Sequence, residues 1–280
     1  MSGNVRLAEK VVPSIGHKFY HSPLYSKGCP RGLDPRTRGG GQGAAARGAG
    51  RAAAPGSARY GWPVTRAPLS LPGRTVIFDY GEVISLTPSP ADRAVITRLA
   101  GVSDDDGPFW TAYFAHRDGL DQGTAGVAAY WRAIAADTGS SWDEARVHEL
   151  WAADFRSWLS INPEIIELLA DLRAGGTPLA LLSNAGADFA SFFRHGPLGD
   201  FFSACYVSGE LGLLKPHADI YRHVLDDLGI APAQTVFVDN RASNVTGAEA
   251  LGITGHVFTD AAKLREFLAS MASASESVDG

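Results

Sequence analysis

From Arg74 onward, short apolar runs rich in β-branched residues alternate with segments carrying helix signals, and this alternation restricts the fold more than any other feature. Thr75–Asp79 is such a run, bounded by Gly73 and Gly81 and too short for a helix. Pro178–Leu182, Ala204–Val207, Thr235–Asp239 and Gly255–Phe258 read the same way. Helices are expected between and after them, over 188–194, 218–228, 243–251 and 260–271. Strands without polar alternation are buried on both faces, and parallel neighbours need a helical crossover. The expected class is therefore α/β, a Rossmann-like parallel sheet with helices on both faces.

One block interrupts the pattern. Ser89 and Pro90 supply an N-cap and a first-turn proline, with Gly101 to close that helix. Thr124 can cap a helix reaching about Asp137, and Ser141 with Glu144 has capping-box spacing before a helix running to about Trp158. Asn162-Pro163 opens the next helix, which Gly175-Gly176 ends. No strand is expected over 89–158, so this block is an inserted helical cap. The division expected is a core of 74–88 and 160–270, a cap of about 89–159, and a flexible tail over 271–280.

Residues 1–73 differ in kind. They carry roughly eleven Lys/Arg against about two acids, which leaves the remainder near −14 within a net charge of −5. Gly39–Ser57 is almost entirely Gly, Ala, Arg and Pro, a composition that cannot offset the entropy of ordering, so disorder is expected there. The acidic remainder argues against a nucleic-acid partner. Two cysteines, Cys29 and Cys205, make no disulfide framework, and no apolar stretch is long enough for a membrane. With no secretion signal evident, a cytoplasmic location is expected. His17, His21 and Cys29 form a loose trio, too sparse for a metal site.

In parallel sheets, ligands bind beyond the carboxyl ends of the strands. Those ends carry Asp79, Ser183-Asn184 and Asp239-Asn240, and Lys215 lies in the loop after the third strand. A carboxylate that can attack, a hydroxyl and an ammonium that can hold oxygens, and a second acid suit transfer of an anionic group. Singly, each of these residues reads as an ordinary polar turn; together they come from four segments that the fold gathers at one edge.

Phe78-Asp79-Tyr80-Gly81-Glu82-Val83, Leu182-Ser183-Asn184, Leu214-Lys215-Pro216 and Phe237 through Asn244 resemble the four ordered motifs of the haloacid dehalogenase-like hydrolase superfamily. The helical insert is similar to the small cap of the branch with many sugar-phosphate phosphatases and the phosphatase domain of epoxide hydrolase. The resemblance implies a Mg²⁺-dependent phosphatase of a small phosphorylated metabolite, working through an aspartyl-phosphate. Asp79 would be the nucleophile. Ser183, Asn184 and Lys215 would bind phosphate, Lys215 also steadying the nucleophile, with Asn244 at the trailing polar position of the last motif. Asp79, the Gly81 carbonyl, Asp239 and Asn240 would form the metal site. Arg117 and Trp131 are candidate cap contacts to substrate.

Two positions depart from the phosphatase pattern. Gly81 stands where a second Asp serves as general acid and base, with Glu82 beside it as a candidate substitute. Asn240 replaces a metal-binding Asp, which weakens the site for a hard ion. These departures keep two alternatives open: a scaffold of the same kind that binds a phosphorylated ligand without turnover, and a metal-independent 2-haloacid dehalogenase. The latter family's Asp-x-Tyr-Gly-Thr is matched poorly, because Tyr80 comes one position early.

Overall fold

The computed structural model describes residues 68–105 and 107–276. Most of the basic segment, with Cys29 and the His17–His21 pair, lies outside the described residues.

Five strands form one sheet: β1 (Thr75–Phe78), β2 (Leu179–Ser183), β3 (Ala204–Val207), β4 (Thr235–Asp239) and β5 (Thr254–Val257). All pairings are parallel and the order is β3-β2-β1-β4-β5. Alternate residues of each central strand point to opposite faces. Val76 and Phe78, Leu179 and Leu181, and Val236 and Val238 enter one buried layer; Ile77, Ala180, Leu182 and Phe237 enter the other. The first layer is covered by α6 (Pro163–Ala174), α7 (Ala190–His195) and α11 (Ala261–Glu276). The second is covered by α9 (Ala218–Leu228) and α10 (Ala242–Glu249), α9 contributing Ile220, Tyr221, Val224 and Leu225 at helical spacing. Both faces are thus dry, which is why these strands carry no polar alternation.

The insert forms α1 (Pro90–Ala100), α2 (Gly107–Ala115), α3 (Arg117–Asp121), α4 (Val127–Thr138) and α5 (Glu144–Ser157). Ile96, Phe109, Tyr130, Trp131, Ile134, Val147 and Leu150 build its own core. A short α8 (Ser208–Leu211) follows β3. Its Gly209 backbone lies against Gly123 of the cap so closely that a Cβ on Gly123 would come 2.3 Å from the Gly209 carbonyl oxygen, and Gly123 also holds a φ of +75°. The cap is docked there by main chain against main chain. Gln122 Nε2 donates to the Gly212 carbonyl at 3.0 Å, and the Ser208 hydroxyl donates to the Asp121 carbonyl.

Several boundaries differ from the sequence expectation for identifiable reasons. Ser89 does cap α1, in a reciprocal pair with Asp92, and Asn162 caps α6. Thr124 does not cap α4: its hydroxyl donates back to the Gly119 carbonyl, closing the preceding turn, and Gly126 occupies the N-cap. Asp143 rather than Ser141 caps α5, accepting from the Arg146 N–H at 2.8 Å. The segment expected as a helix over 188–194 is a 3₁₀ turn at Ala187–Phe189 followed by α7. The last helix, expected to end at about Met271, continues to Glu276.

Candidate active site

The chain leaves β1 toward β2 and β3 on one side, then crosses to β4 and β5 on the other. The strand order therefore reverses between β1 and β4, where a crevice opens beyond their carboxyl ends. Asp79 follows β1 directly and its N–H donates to the Val238 carbonyl of β4 at 2.8 Å. Asp239 ends β4, and Ser183 ends β2.

Lys215 links them. Its Nζ lies 2.7 Å from Asp79 Oδ1, 2.7 Å from Asp239 Oδ2 and 2.9 Å from the Leu182 carbonyl. An ammonium has three hydrogens, so all of its donors are taken. In this arrangement Lys215 has no hydrogen left to donate elsewhere and fixes the orientation of Asp79. Burial works against the ammonium, but the two carboxylates outweigh it and hold its pKa above the usual value. Burial pushes the Asp79 carboxyl up to about 6; Lys215 opposes the rise and Asp239 adds to it. The loop carrying Lys215 is clamped by Asn184, whose Nδ2 donates to the Lys215 carbonyl while its Oδ1 accepts the Lys215 N–H, both at 3.0 Å.

Asp239 is fully buried and does not line the cavity. Its Oδ1 accepts from the Arg241 N–H at 2.8 Å and from Asn244 Nδ2 at 3.1 Å. Its Oδ2 accepts from Lys215 and from the same Asn244 amide at 3.0 Å. The geometry makes Asp239 an anchor for Lys215 and leaves Asn240 as the member of that pair facing the cavity. Asn240 Nδ2 donates to Glu82 Oε2 at 2.7 Å, and Glu82 Oε1 accepts from the Thr87 hydroxyl at 3.1 Å. Glu82 is the one non-glycine residue with positive φ among those described, at 59°, a strained setting often found at functional sites.

These groups face a cavity of about 570 Å³ between sheet and cap. Asp79, Gly81, Glu82, Ser183, Asn184, Lys215, Asn240 and Asn244 line its floor, and Arg117 lines its roof. Trp131 is not brought there; it is buried in the cap core, edge-on to Tyr130 and Trp142. The aromatic residues at the cavity are instead Trp110, Tyr113 and Phe114 of α2, with Tyr80, Trp158 and Phe189. Sequence reasoning also passed over Asp121 and Asp154, the partners of Arg117. Their only signal was Asp121 at helical spacing, four residues after Arg117.

A family model of haloacid dehalogenase-like hydrolases matches residues 74–252. The chain belongs to that family. A sesquiterpene phosphatase of Aspergillus oryzae is 32% identical over 113 residues, covering 39% of this chain and 58% of that protein. A phosphoserine phosphatase of Thermus thermophilus is 36% identical over 112 residues, covering 39% and 45%. The chain thus spans about half the length of these curated relatives. A haloacid dehalogenase family enzyme from Bacteroides thetaiotaomicron superposes with a TM-score of 0.55 at 22% identity, over 66% of this chain and 93% of that one, a likeness of fold.

Among the described residues, no group of three or more His, Cys, Asp or Glu is placed to hold a metal ion. Yet the cavity floor of this haloacid dehalogenase-like chain offers oxygen donors beside Lys215, among them the Asp79 carboxylate, the main chain of Gly81 and the Asn240 amide oxygen, left over once its nitrogen binds Glu82. Mg²⁺ is commonly held by one or two carboxylates with water completing its shell, so this set fits that ion with little charge to spare.

Proposed function

We propose that this chain is a phosphomonoesterase for a small phosphorylated metabolite, with Asp79 as the phosphoryl acceptor. The observation that carries it is the buried Asp79–Lys215–Asp239 bridge at the point where the strand order reverses, with Ser183 at the adjoining strand end. Both curated relatives above are named as phosphatases. A second structure of the Bacteroides enzyme holds magnesium and inorganic phosphate.

An Asp79 oxygen attacks phosphorus and the ester oxygen departs with its electron pair. Water then attacks the phosphorus of the acyl phosphate, releasing inorganic phosphate and returning the carboxylate. Lys215 holds the Asp79 carboxylate in line and offsets the charge that accumulates. Ser183 and the Asn184-clamped turn hold the phosphoryl oxygens. Asp79, the Gly81 carbonyl and Asn240 would hold Mg²⁺, which would supply Lewis-acid stabilisation of the phosphoryl oxygens. Gly81 has no side chain to move a proton, so that task falls to Glu82, whose carboxyl form protonates the leaving oxygen and whose resulting carboxylate then takes a proton back from the attacking water. Glu82→Gln should lower kcat by about 10²-fold or more; an unchanged kcat would remove Glu82 from this role.

Mg²⁺-stimulated phosphate release from a phosphomonoester panel tests the proposal, and a panel with no release would refute it. A metal-free panel with 2-chloropropionate covers the dehalogenase alternative, where chloride release would decide in its favour. The second reading, a scaffold that binds a phosphorylated ligand without turnover, is favoured by the Asn240–Glu82 hydrogen bond, since an amide satisfies that carboxylate where an aspartate would repel it. Asn240→Asp sets two carboxylates against each other and adds a ligand charge. We expect a lower Tm without Mg²⁺, recovery with it, and Mg²⁺ affinity raised by about tenfold. Unchanged affinity by calorimetry would take position 240 out of the metal site.

A further inference from the structure

Helix α2, Gly107–Ala115, contains no charged residue and is apolar on more than one face. A helix of that kind needs cover all round. Phe109, Ala112 and Tyr113 are covered by the cap core, but Trp110 and Phe114 turn to the cavity. Phe114 is 59% exposed, the most exposed large apolar side chain among the described residues, and the cap core has no use for it. With Tyr113 edge-on at 5.0 Å, and with Ile96, it makes the cap wall of the cavity aromatic and aliphatic, while Trp158 adds an aromatic ring beside Gly81.

The charges on that side pair with one another inside the cap and leave an acidic excess. Arg117 lies 3.1 Å from Asp121 and 3.2 Å from Asp154, and its Nη1 donates to the Tyr113 hydroxyl at 3.3 Å. The Asp121 contact is an ion pair without an aligned N–H, since Asp121 Oδ1 is buried with no hydrogen-bond donor. One guanidinium between two carboxylates leaves a net negative charge, which repels an anionic substituent. Arg93 lies over the Trp110 ring at 4.2 Å, taking a ring face that a cationic substituent would use and opposing its charge. Asp118 lies nearby on the same wall.

We infer that the cap selects phosphate esters of neutral, apolar alcohols, the hydrocarbon lying against α2 while the phosphate rests at Asp79. This rests on the phosphatase reading and names its substrate class. The volume of about 570 Å³ suits it, since pockets of about 300–1,000 Å³ bury a ligand of drug size.

Calorimetric titration of the full chain with Mg²⁺ and a series of alkylphosphonates, whose carbon–phosphorus bond this chemistry leaves intact, tests the inference apart from turnover. From ethyl to hexyl, affinity should rise about three- to fourfold per methylene. 3-Phosphonopropionate and a trimethylammonium-bearing phosphonate should bind no tighter than the ethyl compound. Phe114→Ser, at an exposed position, should shrink the hexyl-to-ethyl ratio by about tenfold. A flat or falling series, no binding by any member, tighter binding of either charged analogue, or an unaltered ratio in Phe114→Ser overturns the inference. Phosphate release from hexyl phosphate is measured in parallel: its absence beside a rising series counts against the phosphatase reading and leaves the selectivity standing, whereas release without chain-length preference overturns the selectivity alone.

Discussion

Replacing Lys215 with methionine is expected to lower the unfolding free energy by about 3–5 kcal/mol and to abolish measurable turnover. The side chain is 1% exposed and its ammonium is the shared partner of Asp79 and Asp239. Methionine fills similar space but leaves two carboxylates facing each other where water is scarce, and strands the Leu182 carbonyl. Urea unfolding measures the loss. Adding Asp239→Asn to Lys215→Met removes one of the stranded charges, so the double variant should be more stable than the single one; a further fall would mean that Asp239 does not depend on Lys215 for its charge.

Asp79→Asn should reduce kcat by about 10⁴-fold or more while the fold persists. The amide keeps the shape of the carboxylate and can still face Lys215, but it has no anionic oxygen with which to attack phosphorus. Circular dichroism and calorimetric binding of inorganic phosphate should stay close to those of the parent. That split separates a nucleophile from a structural carboxylate. A variant retaining a tenth of parental kcat would show that Asp79 only positions other groups.

The sheet was readable because its strands are buried on both faces: Thr75–Phe78 and Thr235–Asp239 needed no more than an apolar run ended by an acid. The gathering of Asp79, Ser183 and Lys215 followed from the rule that parallel strands end on one edge. The anchor role of Asp239 did not. It depends on Asn244, five residues on and within the first turn of α10, returning its amide to both carboxylate oxygens. The cap was less legible. Helix α2 carries no charged residue and no polar face, so periodicity could not mark it or say which aromatic rings face inward. Trp131 and Phe114 look alike in sequence, but Trp131 falls on the buried side of α4 and Phe114 on the open side of α2. Thr124 and Ser141 carry good capping chemistry, and Gly126 and Asp143 hold the N-cap positions instead.

The most direct test of the central claim is an acid quench of the wild-type chain during turnover of p-nitrophenyl phosphate with Mg²⁺, followed by peptide mass mapping. A phosphoryl group on the peptide containing Asp79, absent from Asp79→Asn, is the result predicted. Phosphate release at an equal rate from both proteins, with no phosphorylated peptide in either, would contradict it.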